Sequence, residues 1–452
     1  MSDTVSSRTG MADPSDTPAA ALTDHVAGVT LERPSSPAWI AGTLVAALIA
    51  AVFLGALAYL FAVGVGIWGI NIPVAWGFAI TNYVWWIGIA MAGTFISAAL
   101  LLAGQGWRSS VSRFAETMTV IALGLAGLFP IMHLGRPWFA YWLLPYPNIM
   151  SLWPQWRSAL VWDFVAIASY VGVSLMVWYI GLLPDLASLR DRARRRRAAV
   201  FYGLLALGWR GEAHHWQRLE SATRLLAGFA VPLVFMVHSM VALDFSEGLP
   251  PGWHTTLFPP FFVAGALFSG FALVLVMAVV LRPIYGLGRW ITDAHVDLLA
   301  RTLLAASLVM AYSYGLEIFS AHYTGNPDEL AMLSDRMTGF YAPAYWATLL
   351  LNAVLPQLFW WPRLRTRRGV LLLVGGGVVL GMWIERFMLV VTSLYHGYLP
   401  SADGRFYPTL WDWVHLLGSL GVFALLFLLF VRLLPLLPMF EIRRRMHEEG
   451  SS

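Results

Sequence analysis

Cysteine is absent from the 452 residues, lysine is absent too, and charged side chains make up only 12%. Without cysteine the chain has no disulfide, no thiolate zinc site, no nucleophilic thiol and no cysteine ligands for an iron–sulfur cluster. Any redox centre of that kind must belong to a partner. Without lysine, all 29 basic residues are arginines. A soluble chain carries roughly 25% charged and 45–50% apolar residues. Here 58% are hydrophobic, more than one soluble core can hide, which argues against an ordinary cytosolic enzyme. The formal charge of +4 gives no sign of nucleic-acid binding, because the arginines cluster between apolar runs.

Those runs recur at 38–64, 78–104, 115–135, 158–181, 222–243, 258–281, 296–320, 344–361, 370–392 and 410–434. Each is near the length of about 20 residues that a bilayer demands. The pattern predicts an all-α integral membrane protein with ten transmembrane helices, the run at 344–361 being interrupted by Pro356. Residues 1–37 are polar and read as a disordered cytoplasmic tail, and 436–452 as a basic cytoplasmic tail. No charged segment leads into a short apolar stretch and cleavage site, so a cleaved signal peptide is not expected.

Arginines mark the segments after spans two, four, six and eight, with Arg108 and Arg113, Arg190 to Arg197, Arg282 and Arg289, and Arg363 to Arg368. Arg443 to Arg445 add to the C-terminal tail. The alternate segments hold few, so the positive-inside rule puts both termini in the cytoplasm of a bacterial inner membrane. The outer segments 136–157, 244–257 and 393–409 are rich in Trp, Tyr and Pro. Such segments serve as interfacial anchors or as a docking surface for an outer-side partner.

Ionisable groups inside spans cost roughly 2.5–3.5 kcal/mol to insert and therefore mark candidate sites. His133 closes span three in FPIMHLGRPW, and Asp163 enters span four in VWDF. These spans are consecutive and antiparallel, so the two groups can face each other near the outer surface, beside the bend expected at Pro130. His238 and Asp244 lie in span five, and Glu317 and His322 lie in span seven. Glu385 and Arg386 lie in span nine; neighbours on a helix point about 100° apart, so each is expected to pair with another span. Asp412 and His415 open span ten and read as interfacial. The inner half holds Glu116 and the i,i+4 pair Asp297 and Arg301. Intermediate depths are thinly supplied, so no continuous proton wire is evident, whereas an outer-side polar site is. A histidine and a carboxylate beside an apolar slot suit a quinol, whose hydroxyl protons need an acceptor. A b-type haem would need facing histidines, and no repeated His spacing supplies them.

FPIMHLGRPWFAYWLLPYPN followed by WRSALVWDF resembles the NrfD-like, polysulfide-reductase membrane-subunit family. With MVHSMVALDF, YGLEIFSAHYTGN and WIERF in order, the chain is most similar to the ActC-type quinol-oxidising subunits of alternative complex III. The resemblance covers about residues 38–435. It implies two four-helix bundles, spans two to five and six to nine, with peripheral helices added. It further implies menaquinone or ubiquinone as substrate near the periplasmic face, with no cofactor or metal held by this chain. The implied partners are a periplasmic iron–sulfur subunit, multihaem and monohaem cytochrome c subunits, and a second NrfD-like subunit. Carried over, the quinone-site pair falls on His133 and Asp163, supported by Asp244 and Arg386. His238, Glu317, Asp297, Glu385 and Glu116 are the candidates for proton transfer, since translocation has been proposed for such subunits. Other readings are an ActF-like paralogue, a structural membrane anchor without a quinone site, or an ion or solute transporter. A transporter would place its polar residues at the midplane. Here they crowd towards the outside.

Overall fold

The structure, a computed structural model, describes residues 18–32, 35–143, 156–253, 255–395, 397–398 and 403–450. The helices in chain order are α1 (Pro18–Leu31), α2 (Pro37–Val63), α3 (Phe78–Leu102), α4 (Ser112–His133), α5 (Ala159–Arg192), α6 (Arg196–Leu205), α7 (Ala213–Ser246), α8 (Phe258–Ile284), α9 (Asp293–Thr324), α10 (Pro327–Thr338), α11 (Ala342–Leu349), α12 (Arg368–Leu394), α13 (Leu410–Leu433) and α14 (Met439–Gly450). Among the described residues, nine helices are long and apolar enough to cross a membrane. Helices suit that medium because every backbone group is satisfied within the segment.

The eighth predicted span, 344–361, is helical but irregular. It runs as α11, then a π-helical stretch Leu350–Val354, then a 3-10 stretch Leu355–Trp360. Pro356 has no N–H to donate, and its ring crowds the carbonyl four residues back, at Asn352. A widened turn relieves that collision, and it is the kind of irregularity found at functional positions.

Helix α3 is the centre of the molecule and is buried along most of its length. It packs against α4, α7, α8 and α12. Its approach to α4 depends on Gly93, where a Cβ would lie 2.1 Å from the Ala115 carbonyl oxygen. Helices α3, α4, α5 and α7 form one bundle, and α8, α9, the 342–360 segment and α12 form a second; α3–α8, α3–α12 and α7–α8 contacts join them. Helix α2 packs on α13 outside both.

Helix α1 corrects the expectation of a disordered first 37 residues over Pro18–Leu31, while 1–17, 33 and 34 lie outside the described residues. Leu22 and Val26, one helical turn apart, are buried in the main core, and His25 Nε2 lies 2.8 Å from the Tyr285 carbonyl oxygen. The polar composition of the tail hid this short apolar stripe. The C-terminal tail likewise forms a helix, α14, tied by Glu441 to Arg108 at 3.1 Å. Contacts of α1 with α13 and α14 place α1 and α14 at one end of the bundles. The arginine-rich segments share that end.

Candidate functional site at the end opposite the arginines

Asp163 stands four residues inside α5, about 6 Å along the axis, and Tyr83 about 8 Å inside α3. Asp244 stands two residues before the end of α7. Three helices of the first bundle thus bring their ends together. The Tyr83 hydroxyl donates to Asp163 Oδ2, and the Asp163 and Asp244 carboxyls lie within hydrogen-bonding reach of each other. Asp163 is 6% exposed. Its Oδ1 and the Asp244 Oδ1 are buried and accept from no N–H, alcohol or phenol among the described residues. Among the described residues no ion pair joins an arginine to the cluster; Arg386, expected beside it, pairs with Glu385 in the second bundle.

His133 ends α4, where Gly135 at φ +68° lets the chain leave the helix. Its ring stacks on Trp68 at 6.3 Å between centroids and 11° between planes, and its Nδ1 is buried without a partner among the described residues. Trp68 Nε1 lies 3.3 Å from His415 Nδ1 of α13. Among the described residues no hydrogen bond or ion pair joins His133 to Asp163, and Asp163 is engaged by Tyr83 and Asp244 instead. The segment 144–155 between them, part of the aromatic outer loop, lies outside the described residues. Asp412 and His415, in the first two turns of α13, are buried within the protein, at 1% and 2% exposure. Asp412 caps α13 through Thr409 and accepts from the Gly69 N–H at 2.9 Å.

Deeper in the first bundle, His238 sits about 9 Å below Asp244, against the Val234 carbonyl at 3.2 Å. The thin middle of the sequence inventory is filled by hydroxyls. Tyr170 donates between the Ala90 carbonyl at 3.0 Å and Thr94 Oγ1 at 3.1 Å. Thr94 Oγ1 is 3.1 Å from Ser174 Oγ. Below them Ser97 donates to Glu116 at 2.6 Å, and Arg113 pairs with Asp185 at 2.9 Å and Glu116 at 3.6 Å.

The second bundle holds the remaining candidates. Arg336 of α10 clamps Glu317 at 2.7 Å, Thr392 at 3.0 Å and Ser393 at 2.6 Å. Arg386 and Glu385 pair with each other at 3.3 Å, contrary to the expectation of separate partners. The offset of neighbouring Cβ atoms does not limit a side chain as long as arginine, which folds back along the helix. The same guanidinium lies over the Phe262 ring at 4.3 Å. Towards the arginine-rich end, Asp297 pairs with Arg301 at 2.5 Å and with Arg365 at 2.6 Å.

Sequence reasoning missed Tyr83 and Trp68. Neither is charged at neutral pH, and both sit among 22 Trp, 16 Tyr and 26 Phe. A polar-tipped aromatic one helix away from a buried acid is the only signal that could have found Tyr83.

Comparison with known proteins places this architecture. Over 241 residues the chain is 28% identical to a protein of Halobacterium salinarum provisionally named as a membrane subunit of dimethyl sulfoxide reductase. That match covers 50% of this chain and 51% of the relative, so the chain spans about half that relative's length. Over 395 residues it is 21% identical to a selenate reductase subunit of Mesobacillus selenatarsenatis, covering 78% of this chain and 84% of the relative. Residues 69–396 match the family described as Polysulphide reductase, NrfD. That stretch contains both bundles and Tyr83, His133, Asp163 and Asp244, and the chain belongs to the NrfD polysulphide reductase family.

Proposed function

We propose that this chain is the membrane subunit of a respiratory quinol:acceptor oxidoreductase and that it binds and oxidises quinol at the end opposite the arginines. By the positive-inside rule that end is periplasmic and both termini are cytoplasmic. One observation carries the reading: a buried group of two carboxyls and a phenol, Asp163, Asp244 and Tyr83, with two carboxyl oxygens that accept from no N–H, alcohol or phenol among the described residues. An unpartnered acceptor in an apolar bundle is costly unless a donor arrives. A quinol hydroxyl is such a donor, and its apolar ring enters from lipid. Asp163 or Asp244 accepts a hydroxyl proton, Tyr83 orients the carboxyl, and His133 serves as a second acceptor or as the exit towards water.

The electrons leave to an iron–sulfur subunit docked above the site, because this chain has no cysteine to ligate a cluster. The resemblance to alternative complex III extends this route to multihaem and monohaem cytochromes c and adds a second NrfD-like subunit. The names of the two relatives favour another destination, a reductase of an external oxide such as dimethyl sulfoxide or selenate. Both destinations use the same quinol step. Proton translocation would add Glu116, His238, Asp297, Glu317 and Glu385, with the Tyr170–Thr94–Ser174 hydroxyls bridging mid-depth.

The test is Asp163→Asn in the assembled complex, with quinol oxidation and the amount of each subunit both measured. Loss of a positioned proton acceptor costs about 10²–10⁴-fold in rate, so a fall of that size with full assembly is expected. An assembled Asp163→Asn complex that keeps its quinol rate would make the chain an anchor.

A further inference from the structure

A cavity of about 310 Å³ opens in the second bundle, between α8, α9, α11 and α12 and beneath α10. Its lining is mixed, with hydroxyls, acids and Arg336 alongside apolar side chains. Glu385, nine residues from the end of α12 and about 14 Å below it, is 4% exposed. Its Oε1 is held by Arg386 at 3.3 Å, and its Oε2 is buried with no partner among the described residues. Beside it stands the Tyr314 hydroxyl, which accepts from Asn352 Nδ2 at 3.0 Å and so keeps its own proton to donate. Asn352 belongs to the π-helical turn before Pro356, so the irregular span sets the position of this phenol.

These groups restrict what the cavity takes. An anion would meet the Glu385 carboxylate with no cation to spare, since the three nitrogens of Arg336 engage Glu317, Thr392 and Ser393. Arg386 is occupied by Glu385 and the Phe262 face. The occupant must donate to Glu385 Oε2 and accept from Tyr314. Water could do both, but each ordered water wants two to four polar partners. The Ser313 and Thr348 hydroxyls already donate to the Val309 and Ala344 carbonyls, and Phe258, Phe261, Met388 and Leu389 on the same walls offer a water no partner. A flat apolar ring bearing a hydroxyl fits both the walls and the acceptor–donor pair. The volume lies at the lower end of the range of about 300–1,000 Å³ for small-molecule sites.

We infer that the second bundle carries its own binding site for the head group of a membrane-soluble quinol, hydrogen-bonded to Glu385 and Tyr314, separate from the Asp163 cluster. The inference concerns binding and adds no redox step.

The experiment uses the assembled complex in lipid nanodiscs, a short-chain azido-naphthoquinone under reducing conditions as probe, and peptide mapping of the photolabel. Labelled peptides from residues 252–261, 313–324 or 385–389 are expected. Glu385→Gln replaces a charge-assisted hydrogen bond with a neutral one and should raise the half-saturating probe concentration there about tenfold. Ala321→Phe fills the cavity from α9 without altering charge and should abolish the label. Wild-type labelling confined to the first bundle would overturn the inference, and so would second-bundle labelling that either variant leaves unchanged. In Asp163→Asn the second-bundle label should persist. Loss of turnover there with the label retained separates this site from the quinol-oxidising one, and second-bundle labelling with none near Asp163 would count against the first site alone.

Discussion

At the end opposite the arginines the two bundles use the same chemical types in different arrangements. The first sets a phenol and two carboxyls directly against one another, Tyr83, Asp163 and Asp244, with no cation among them. The second splits its carboxyls, ties Glu317 to Arg336 and Glu385 to Arg386, and leaves a cavity between. An uncompensated acidic cluster in hydrocarbon is expensive. It persists only where the fold holds it and where a proton or a hydroxyl donor is close. An arginine-clamped carboxylate is far cheaper to keep, and it fixes helices in place. The first arrangement is therefore suited to moving a proton, and the second to holding a shape around a ligand.

Removing one acid from each bundle tests that division most severely. Asp244→Asn should lower quinol oxidation by about 100-fold or more, as expected for a proton acceptor or its immediate partner. Glu317→Gln should lower it by less than about tenfold, because a glutamine can still accept from Arg336. Turnover measured on assembled complexes checks both. The opposite ranking would move the chemistry to the second bundle.

The first bundle was more legible in the sequence than the second, for physical reasons. Ten apolar runs and alternating arginines are compositional signals averaged over about 20 residues each, and they survive any local detail. Asp163, Asp244 and His133 stood out because ionisable groups are rare in spans. The partners they choose depend on helix rotation, which no single run encodes. Asp163 turns to Tyr83 and Asp244, while His133 turns to Trp68. The middle of the first bundle looked empty because Thr94, Tyr170 and Ser174 carry no charge. In the second bundle Pro356 announced an interruption, yet not the π turn that aims Asn352 at Tyr314. Arg336 lies in a segment between apolar runs, where a charge does not stand out, although it is 6% exposed.

The next effect is on stability. Arg336→Ala removes three hydrogen bonds at once, to Glu317, Thr392 and Ser393. Interhelical hydrogen bonds in membranes average about 0.6 kcal/mol each, with a maximum near 1.7. A loss of about 2 kcal/mol is expected, read as a lower midpoint in detergent-induced unfolding. Tyr83→Phe in the first bundle removes one bond and should cost under about 1 kcal/mol. Equal losses would mean that the first cluster is as much a structural clamp as the second.

Helix approach distinguishes the bundles in the same way. A Cβ on Gly93 meets the Ala115 backbone oxygen at 2.1 Å, whereas a Cβ on Gly265 meets side-chain ends, Arg386 Nη2 at 2.6 Å and Met382 Cε at 3.0 Å. Backbone cannot yield without parting α3 from α4, but side-chain ends can rotate. Gly93→Ala should therefore cost about 1–3 kcal/mol, and Gly265→Ala less than about 1 kcal/mol. The same unfolding midpoint ranks them.

The smallest effect concerns the link between the two ends of the second bundle. Gln357 donates to Ser307 at 3.2 Å and to the Ala353 carbonyl at 2.8 Å, and accepts from Trp360 at 2.9 Å. Only the Ser307 bond crosses between helices; the other two stay within the irregular span. Gln357→Leu keeps the volume and removes the crossing bond, so about 0.6 kcal/mol is at stake. Turnover should then change by less than about threefold if the second bundle is principally a scaffold and binding site. If protons instead cross this bundle, Gln357 and Ser307 lie on their way between Tyr314 and the Asp297 pair. Proton release by proteoliposomes would then fall far more than stability does. A loss of proton translocation at intact quinol turnover would give the second bundle a conducting role that its clamped carboxylates do not by themselves suggest.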